Sequence, residues 1–198
     1  MANRITGYRY TWWRGDRLPP LPPLAHFHAE RTHDAQMLAR LHQLDIPTID
    51  ARIQAGNHPY VAFLQSIPVA YGWVATRIER IEPDLAWPLA AHECSLWDFA
   101  TLPAWRGRGI YPRLLQAILQ AEAVAAERFW IGHTAGNTAS QRGILKAGFH
   151  LTIRSVMTAS GQITWVYHGR RARALADPMV QHLGISEVMR PDGTDPSA

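Results

Sequence analysis

Apolar residues recur along this chain at two spacings, and each spacing predicts one type of element. Alternating apolar and polar positions, rich in β-branched and aromatic residues, indicate strands. A repeat of three to four residues indicates helices with one apolar face. Strands are predicted over residues 8–13, 60–65, 69–78, 93–101, 129–133, 151–157 and 163–167. Helices are predicted over residues 34–44, 48–55, 110–127 and 137–147.

The order of these elements predicts an α/β (α+β) fold with a mixed sheet. Residues 1–168 are expected to form a single domain, in which residues 1–33 supply a first strand and a proline-rich arm. The polyproline stretch 18–23 is interpreted as a wrapping arm rather than as a ligand for a proline-binding module. Residues 79–88 are predicted to be a loop. Residues 169–198 are expected to be a partly disordered extension.

Composition and charge exclude several classes of protein. The chain has 198 residues, of which 47% are apolar, and it has no apolar run long enough to span a membrane. The polar N-terminus and the single cysteine, Cys94, argue against a secretory signal, a disulfide framework and a multi-cysteine metal site. These features predict a cytoplasmic protein without a metal. The net charge of +4 comes from dispersed arginines, so neither nucleic acid nor a membrane is expected as a partner.

Ligand chemistry is clearest where the strand over residues 93–101 leads into the helix that begins near residue 110. The sequence between them contains Arg106-Gly107-Arg108-Gly109. Glycines let backbone N–H groups approach an oxyanion, and a helix N-terminus adds unpaired donors and partial positive charge. The loop is not a Walker loop, and Pro112 occupies the third glycine position of the dinucleotide fingerprint. Considered alone, it is either a phosphate site or a tight turn.

Two segments of the sequence carry a further signal. Residues 97–110 (WDFATLPAWRGRGI) resemble the acetyl-CoA loop of the GNAT N-acetyltransferases, commonly written Arg/Gln-x-x-Gly-x-Gly/Ala. Residues 137–149 resemble the second motif of this family, an Asn-led helix that ends in Gly-Phe. The resemblance implies a mostly antiparallel central sheet flanked by helices, with splayed middle strands that hold the pantetheine arm of acetyl-CoA.

The resemblance also implies which residues bind this co-substrate. The pantetheine would pair with the main chain of Phe99, Ala100 and Thr101. The pyrophosphate would bind at Arg106, Gly107, Arg108, Gly109, Ile110 and Tyr111. Asn137 and Ser140 would face the pantetheine.

Two positions depart from the family pattern. Tyr111 stands at the last position of the loop motif, where the family usually has Gly or Ala. Ile144 stands seven residues after Asn137, where many members carry the tyrosine that protonates the leaving thiolate. The usual proton donor is therefore absent, and another group or a water would have to replace it.

Three residues are candidates for the proton transfers. A glutamate at the distance of Glu93 from the loop is the base in several family members, although a strand-edge carboxylate is an equal interpretation. In a regular strand Asp98 faces the opposite way from Glu93, unless a bulge intervenes. His133 is the first candidate to replace the missing tyrosine, because histidine exchanges protons at neutral pH. A structural histidine is the alternative, and Tyr111 is a second candidate donor.

The sequence thus predicts an N-acetyltransferase that moves an acetyl group from acetyl-CoA to a primary amine of a small metabolite, by direct transfer in a ternary complex. A protein N-terminal or lysine acetyltransferase is an alternative. Ile144 keeps a third hypothesis open, a non-catalytic acyl-CoA-binding sensor. Residues 34–57 and 79–92 would select the acceptor, but they contain no recognisable motif. Whether the protein is a monomer or a homodimer is left open.

Overall fold

The computed structural model describes residues 2–82, 85–168 and 188–189. The strands are β1 (Arg4–Trp13), β2 (Phe27–Arg31), β3 (Asn57–Leu64), β4 (Ile67–Ala75), β5 (Ile78–Glu82), β6 (Leu85–Pro88), β7 (Glu93–Thr101), β8 (Arg128–Thr134), β9 (His150–Met157), β10 (Ile163–Tyr167) and β11 (Val188–Met189). The helices are α1 (Ala35–His42), α2 (Ile46–Gln54), α3 (Ile110–Glu122) and α4 (Thr138–Ala147), with a 3-10 turn at Pro103–Trp105. None of the described helices is long and apolar enough to cross a membrane.

Nine strands form one sheet, in the order β11-β10-β9-β1-β8-β7-β4-β3-β2. Neighbouring strands are antiparallel, except for the parallel pairs β7–β8 and β10–β11. Strands β5 and β6 form a separate hairpin. The predicted fold class, a mixed and mostly antiparallel sheet flanked by helices, is confirmed.

The two parallel middle strands separate halfway along their length. Their pairing runs from Glu93↔Arg128 to Leu96↔Ile131 and ends there, although β7 continues to Thr101 and β8 to Thr134. Gly132, the first residue of β8 beyond the last pair, is exposed although its strand lies inside the sheet. The middle strands are therefore splayed, as the sequence predicted.

Alternate residues of the strands pack against two different layers. On β3, Tyr60 and Ala62 join the core built by α3 and α4, whereas Val61 and Phe63 join Leu38 of α1 and Ile49 of α2. We call these sides the α3 face and the α1 face. The β5–β6 hairpin also covers the α1 face, where Trp87 and Leu89 pack with residues of β8, β9 and β10. This alternation follows from the two-residue period of a strand.

The first strand does not lie at an edge of the sheet. β1 is inserted between β8 and β9 and is antiparallel to both. The arm that follows crosses α3, where Gln116 Nε2 donates to the carbonyl of Pro19 at 2.8 Å. Arg113 donates to the carbonyls of both Gly109 and Pro22, so it ties the arm to the glycine loop.

Several predicted boundaries were wrong. Residues 79–82 and 85–88, predicted to be loop, belong to the paired strands β5 and β6, because Trp87 is 5% exposed and anchors that segment to the sheet. Helix α3 ends at Glu122, five residues early, and Val124 is 85% exposed instead of lying on an apolar face. Strand β2 was missed, since five half-exposed residues carry little apolar pattern. The partial disorder predicted for residues 169–198 falls, apart from residues 188–189, outside the described residues.

Candidate active site

The glycine loop opens α3 without a side-chain cap. Gly107 and Gly109 have φ angles of 78° and 69°, in the left-handed region that favours glycine. Gly109 is the N-cap of α3 and offers no side chain to the first-turn N–H groups. Pro112 has no N–H to satisfy, so the donors of Ile110 and Tyr111 remain for a ligand. This arrangement is suited to an oxyanion.

Two arginines flank the loop. The Arg106 Nε–H donates to the carbonyl of Thr101 at 3.1 Å. The Arg108 guanidinium lies over the Trp105 ring, 4.7 Å from its centroid. Both side chains are exposed, so each is free to turn toward an anion held by the loop.

The edge of β7 beyond the last β8 pair presents main-chain groups to the splay. The N–H of Leu102 donates to Val69 of β4 at 2.9 Å. Since backbone groups alternate along a strand, those of Phe99 and Thr101 point away from β4, toward β8. Ala100, which is paired with Tyr71, points to β4 instead. The sequence prediction therefore fits Phe99 and Thr101 better than Ala100.

Helix α4 begins beside this loop. Asn137 is its N-cap, and its side-chain oxygen accepts the N–H of Ser140 at 3.0 Å. The Ser140 hydroxyl lies 3.3 Å from the hydroxyl of Tyr111, which reaches across from the first turn of α3. The Tyr111 ring also contacts the Phe99 ring, with centroids 5.6 Å apart. Burial raises the pKa of Tyr111 to about 12, so its hydroxyl stays protonated at neutral pH.

Ile144 is fully buried in the core and brings no polar group to the splay. His133 lies on the splayed part of β8, but its ring turns toward β1. Its Nδ1–H donates to the carbonyl of Thr134 at 2.8 Å, and its Nε2 accepts from the hydroxyl of Tyr10 at 3.1 Å. Both ring nitrogens therefore have protein partners.

A bulge in β7 turns Asp98 toward the α1 face. Asp98 has a φ of 52°, and the β4–β7 register shifts where Asp98 and Phe99 stand opposite Gly72. The Asp98 carboxylate accepts from Arg52 Nη1 of α2 at 2.6 Å. A bulge was the exception to the predicted strand alternation, and the structure contains it. Asp98 therefore faces the α1 side, whereas in a regular strand its side chain would face the opposite side.

The surroundings of Asp98 keep its carboxylate ionised. The His42 ring, whose Nδ1 is 3.5 Å away, and the Arg52 guanidinium lower the pKa of Asp98, although burial opposes them. The Arg52 guanidinium also lies over the rings of Trp73 and Trp97, at 5.4 and 4.7 Å from their centroids. Neither Arg52 nor His42 was singled out from the sequence, since both lie in helices without a recognisable motif.

Glu93 lies at the other end of the β7–β8 pairing. Its carboxylate is 3.2 Å from Arg128 Nε and accepts the N–H of Ala90 at 3.2 Å. Trp97, where the splay begins, lies four positions further along the strand, which is about 13 Å at the usual rise. Asp98 is therefore the nearer of the two predicted carboxylates to the splay.

Within the described part of the chain, no group of three or more His, Cys, Asp or Glu side chains could hold a metal ion. Cys94 is buried, and burial raises the pKa of its thiol to about 12. A thiol in this state is a poor nucleophile.

Comparison with known proteins agrees with this geometry. Residues 22–149 match the family described as the acetyltransferase (GNAT) family. The chain therefore belongs to the GNAT acetyltransferase family. No curated protein matches the sequence closely enough to count as a relative.

Solved structures of the same fold are distant in sequence. A GNAT-family acetyltransferase from Colwellia psychrerythraea is 15% identical, with a TM-score of 0.57, and covers 79% of this chain and 56% of its own. A putative GNAT-family acetyltransferase from Novosphingobium aromaticivorans is 15% identical, with a TM-score of 0.52, and covers 78% of this chain and 65% of its own. A GCN5-related N-acetyltransferase from Kribbella flavida is 16% identical, with a TM-score of 0.50, and covers 78% of this chain and 58% of its own. This chain thus spans less than two thirds of the length of these proteins.

Proposed function

We propose that this protein transfers an acetyl group from acetyl-CoA to a primary amine of a small metabolite, within a ternary complex. One observation carries the proposal. Two left-handed glycines lead into an uncapped helix N-terminus beside a parallel strand pair that separates. A phosphate-bearing ligand with a long, amide-containing arm fits both features, since the loop offers anion donors and the splay offers unpaired strand edges.

In this proposal, the main chain holds most of the acetyl-CoA. The N–H groups between Gly107 and Tyr111 bind the pyrophosphate, and Arg106 and Arg108 add charge-assisted hydrogen bonds. The pantetheine amides pair with Phe99 and Thr101 as an additional strand would. Arg106 leaves the Thr101 carbonyl when the ligand pairs with it.

Direct transfer requires two proton movements. The amine must lose a proton before its nitrogen attacks the thioester carbonyl, and the thiolate released when the C–S bond breaks takes up a proton. Asp98, ionised and one third exposed, accepts the first proton through water. The thiolate is a fair leaving group, because thiols have a pKa near 8.5. The second proton comes from Tyr111 with Ser140 or from His133 with Tyr10, which are the two hydroxyl-bearing pairs beside the splay.

The α1 face favours a small acceptor. Helix α2 closes over Asp98 through Arg52, and the β5–β6 hairpin covers the neighbouring part of the same face. A compact amine fits between these elements more readily than an extended peptide. Acetylation of a protein amine is the second candidate, because Asp98 is exposed and Tyr71 is only half-buried.

A turnover screen tests the proposal. Acetyl-CoA is offered with a panel of small primary amines and with peptides that carry a free N-terminus or lysine, and free thiol is measured. Amine-dependent thiol release with small amines is expected. Thiol release with the peptides alone would make a protein amine the acceptor instead. Acetyl-CoA binding without any acetylated amine would favour the non-catalytic sensor.

A further inference from the structure

A buried ion pair joins the β5–β6 hairpin to the central sheet. Arg9 of β1 donates to Glu79 Oε1 of β5, and the two residues are each 7% exposed. The second oxygen, Glu79 Oε2, is buried and has no hydrogen-bond partner among the described residues. Buried carboxylate oxygens are nearly always hydrogen-bonded, because an unpaired one loses its hydration without compensation. Glu79 therefore has one acceptor left to offer.

This carboxylate stands beside the splay. Arg9 is paired with Gly132, which directly follows Ile131, the last residue of β8 that pairs with β7. Gly132 has no side chain and is exposed. The Arg9–Glu79 pair thus lies beside the point where β7 and β8 separate.

Aromatic rings pack beside the Arg9–Glu79 pair. The Arg9 guanidinium lies 5.1 Å from the ring centroid of Trp87, and Trp87 packs edge-on against Trp130 with centroids 6.1 Å apart. The indole Nε1–H of Trp130 is also buried without a partner in the described part of the chain. One acceptor and one donor are therefore unsatisfied in the same aromatic cluster.

We propose that Glu79 is the acceptor-binding carboxylate of this site, with Oε2 accepting a hydrogen bond from a cationic amine seated over Gly132. The proposal rests on the proposed acetyltransferase function and adds the charge class of the acceptor. An ammonium is favoured over an anion, because an ionised carboxylate only accepts hydrogen bonds and Arg9 is already engaged by Oε1. The Trp87 ring adds attraction for a cation, and Trp130 Nε1–H can donate to a hydroxyl or carbonyl oxygen of the same ligand.

Three single variants test the role of Glu79. Glu79→Gln keeps the shape and the contact with Arg9 but removes the charge. Trp130→Phe removes the N–H and keeps an aromatic ring. Glu127→Gln, in an exposed ion pair with Arg14, is the matched control for a glutamate charge. Each is assayed with ethanolamine, 1,4-diaminobutane and lysine amide for kcat and KM, and with acetyl-CoA for affinity.

Glu79→Gln is expected to lower kcat/KM for the amines by about 10- to 100-fold, mainly through KM, because a charged hydrogen bond is lost. Trp130→Phe should lower it less, Glu127→Gln should not change it, and acetyl-CoA affinity should stay the same in all three. Unchanged amine KM in a folded Glu79→Gln protein would overturn the proposal. If Glu79→Gln does not fold, an unchanged amine KM in Trp130→Phe overturns it instead.

A binding measurement separates this inference from the proposed function. Calorimetric titration of the CoA-saturated protein with 1,4-diaminobutane requires no turnover. If the wild-type protein acetylates no amine, the proposed function fails, yet weaker diamine binding by Glu79→Gln than by the wild type still supports the cation site. Equal binding by the two proteins refutes the role of Glu79 even where acetylation is observed.

Discussion

The ring of Tyr111 occupies the place that a side chain at Gly143 would need. A Cβ added to Gly143 would lie 2.3 Å from Tyr111 Cδ1, far inside van der Waals contact. Helix α4 therefore needs a glycine at its centre because α3 carries a tyrosine where the family motif has Gly or Ala. The departure at residue 111 does not by itself obstruct the pyrophosphate loop, since the ring points to α4.

Gly143→Ala should consequently destabilise the protein, although the same change in an exposed helix usually stabilises by about 0.5–1 kcal/mol. We expect a loss of about 1–3 kcal/mol from overpacking. In the background of Tyr111→Ala, the alanine at residue 143 should no longer be unfavourable. Urea unfolding of the two single variants and the double variant measures this coupling. Additive changes in the free energy of unfolding would mean that α3 and α4 move apart here without cost and that residues 111 and 143 are not coupled.

Gly109→Val should weaken acetyl-CoA binding by an order of magnitude or more. Valine is strained at a φ of 69°, and its Cβ would meet the Arg113 guanidinium at 2.6 Å, so the loop must change shape. Calorimetry with acetyl-CoA measures the effect. Gly161→Val is the control, because Gly161 has a φ of 82° in open space at a distant hairpin. Equal acetyl-CoA affinity in the Gly109→Val and wild-type proteins would contradict the assignment of this loop to the pyrophosphate.

Asp98→Asn should lower kcat by about 10²–10⁴-fold, the usual effect of losing an acid–base group, while acetyl-CoA affinity stays unchanged. Because the pKa of Asp98 lies below its ordinary value, the carboxylate is already ionised throughout a neutral assay range. A rise of rate between pH 6 and 9 should therefore persist in Asp98→Asn, with a lower plateau.

The rate of Glu93→Gln, measured over the same pH range, tests whether the other predicted carboxylate is the base. Since Glu93 is paired with Arg128 away from the splay, we expect a lower melting temperature and a nearly normal kcat. A large loss of kcat with an altered acidic limb would instead assign the base to Glu93.

Glu122 should make the protein acid-sensitive. Burial alone would raise the pKa of this carboxylate, but hydrogen bonds from His58 at 2.8 Å and Tyr60 at 2.7 Å outweigh it, so the pKa is lowered. The unfolded chain then binds the proton more readily than the native state. The free energy of unfolding should fall as the pH drops through the unfolded value of about 4.3 and on to the native pKa. Denaturant unfolding from pH 6 to 3 should show a smaller decrease in Glu122→Gln.

Local signals predicted the elements that carry the proposed cofactor loop. Strand β7 has the predicted bounds, and Asn137 and Gly148 cap α4 as the helix signals indicated. These features depend on neighbours in the sequence. The direction of Asp98 could not be predicted, because one residue inserted into a ladder reverses the side without changing the apolar pattern.

The proposed acceptor half depends on contacts between residues far apart in the sequence. The segment around Glu79 lacks a strong strand pattern, and it forms a hairpin because Trp87 and Glu79 meet Trp130 and Arg9. Sequence patterns likewise identified β1 as a strand but could not place it between β8 and β9. Long-range packing decides such positions, and it leaves little trace in local composition.

The position of β1 has a consequence for how the chain folds. Gly7 is paired with both Thr134 and Ser155, so β1, which precedes the other strands of this sheet along the chain, finds its two neighbours only after most of the domain has been made. Such non-local contacts give a high contact order and slow folding. Until β1 inserts, β8 and β9 expose unpaired edges in the middle of the nascent sheet, and those edges are open to pairing with other chains. A mutation that weakens β1 should therefore lower the yield of native protein through aggregation before it changes the active site.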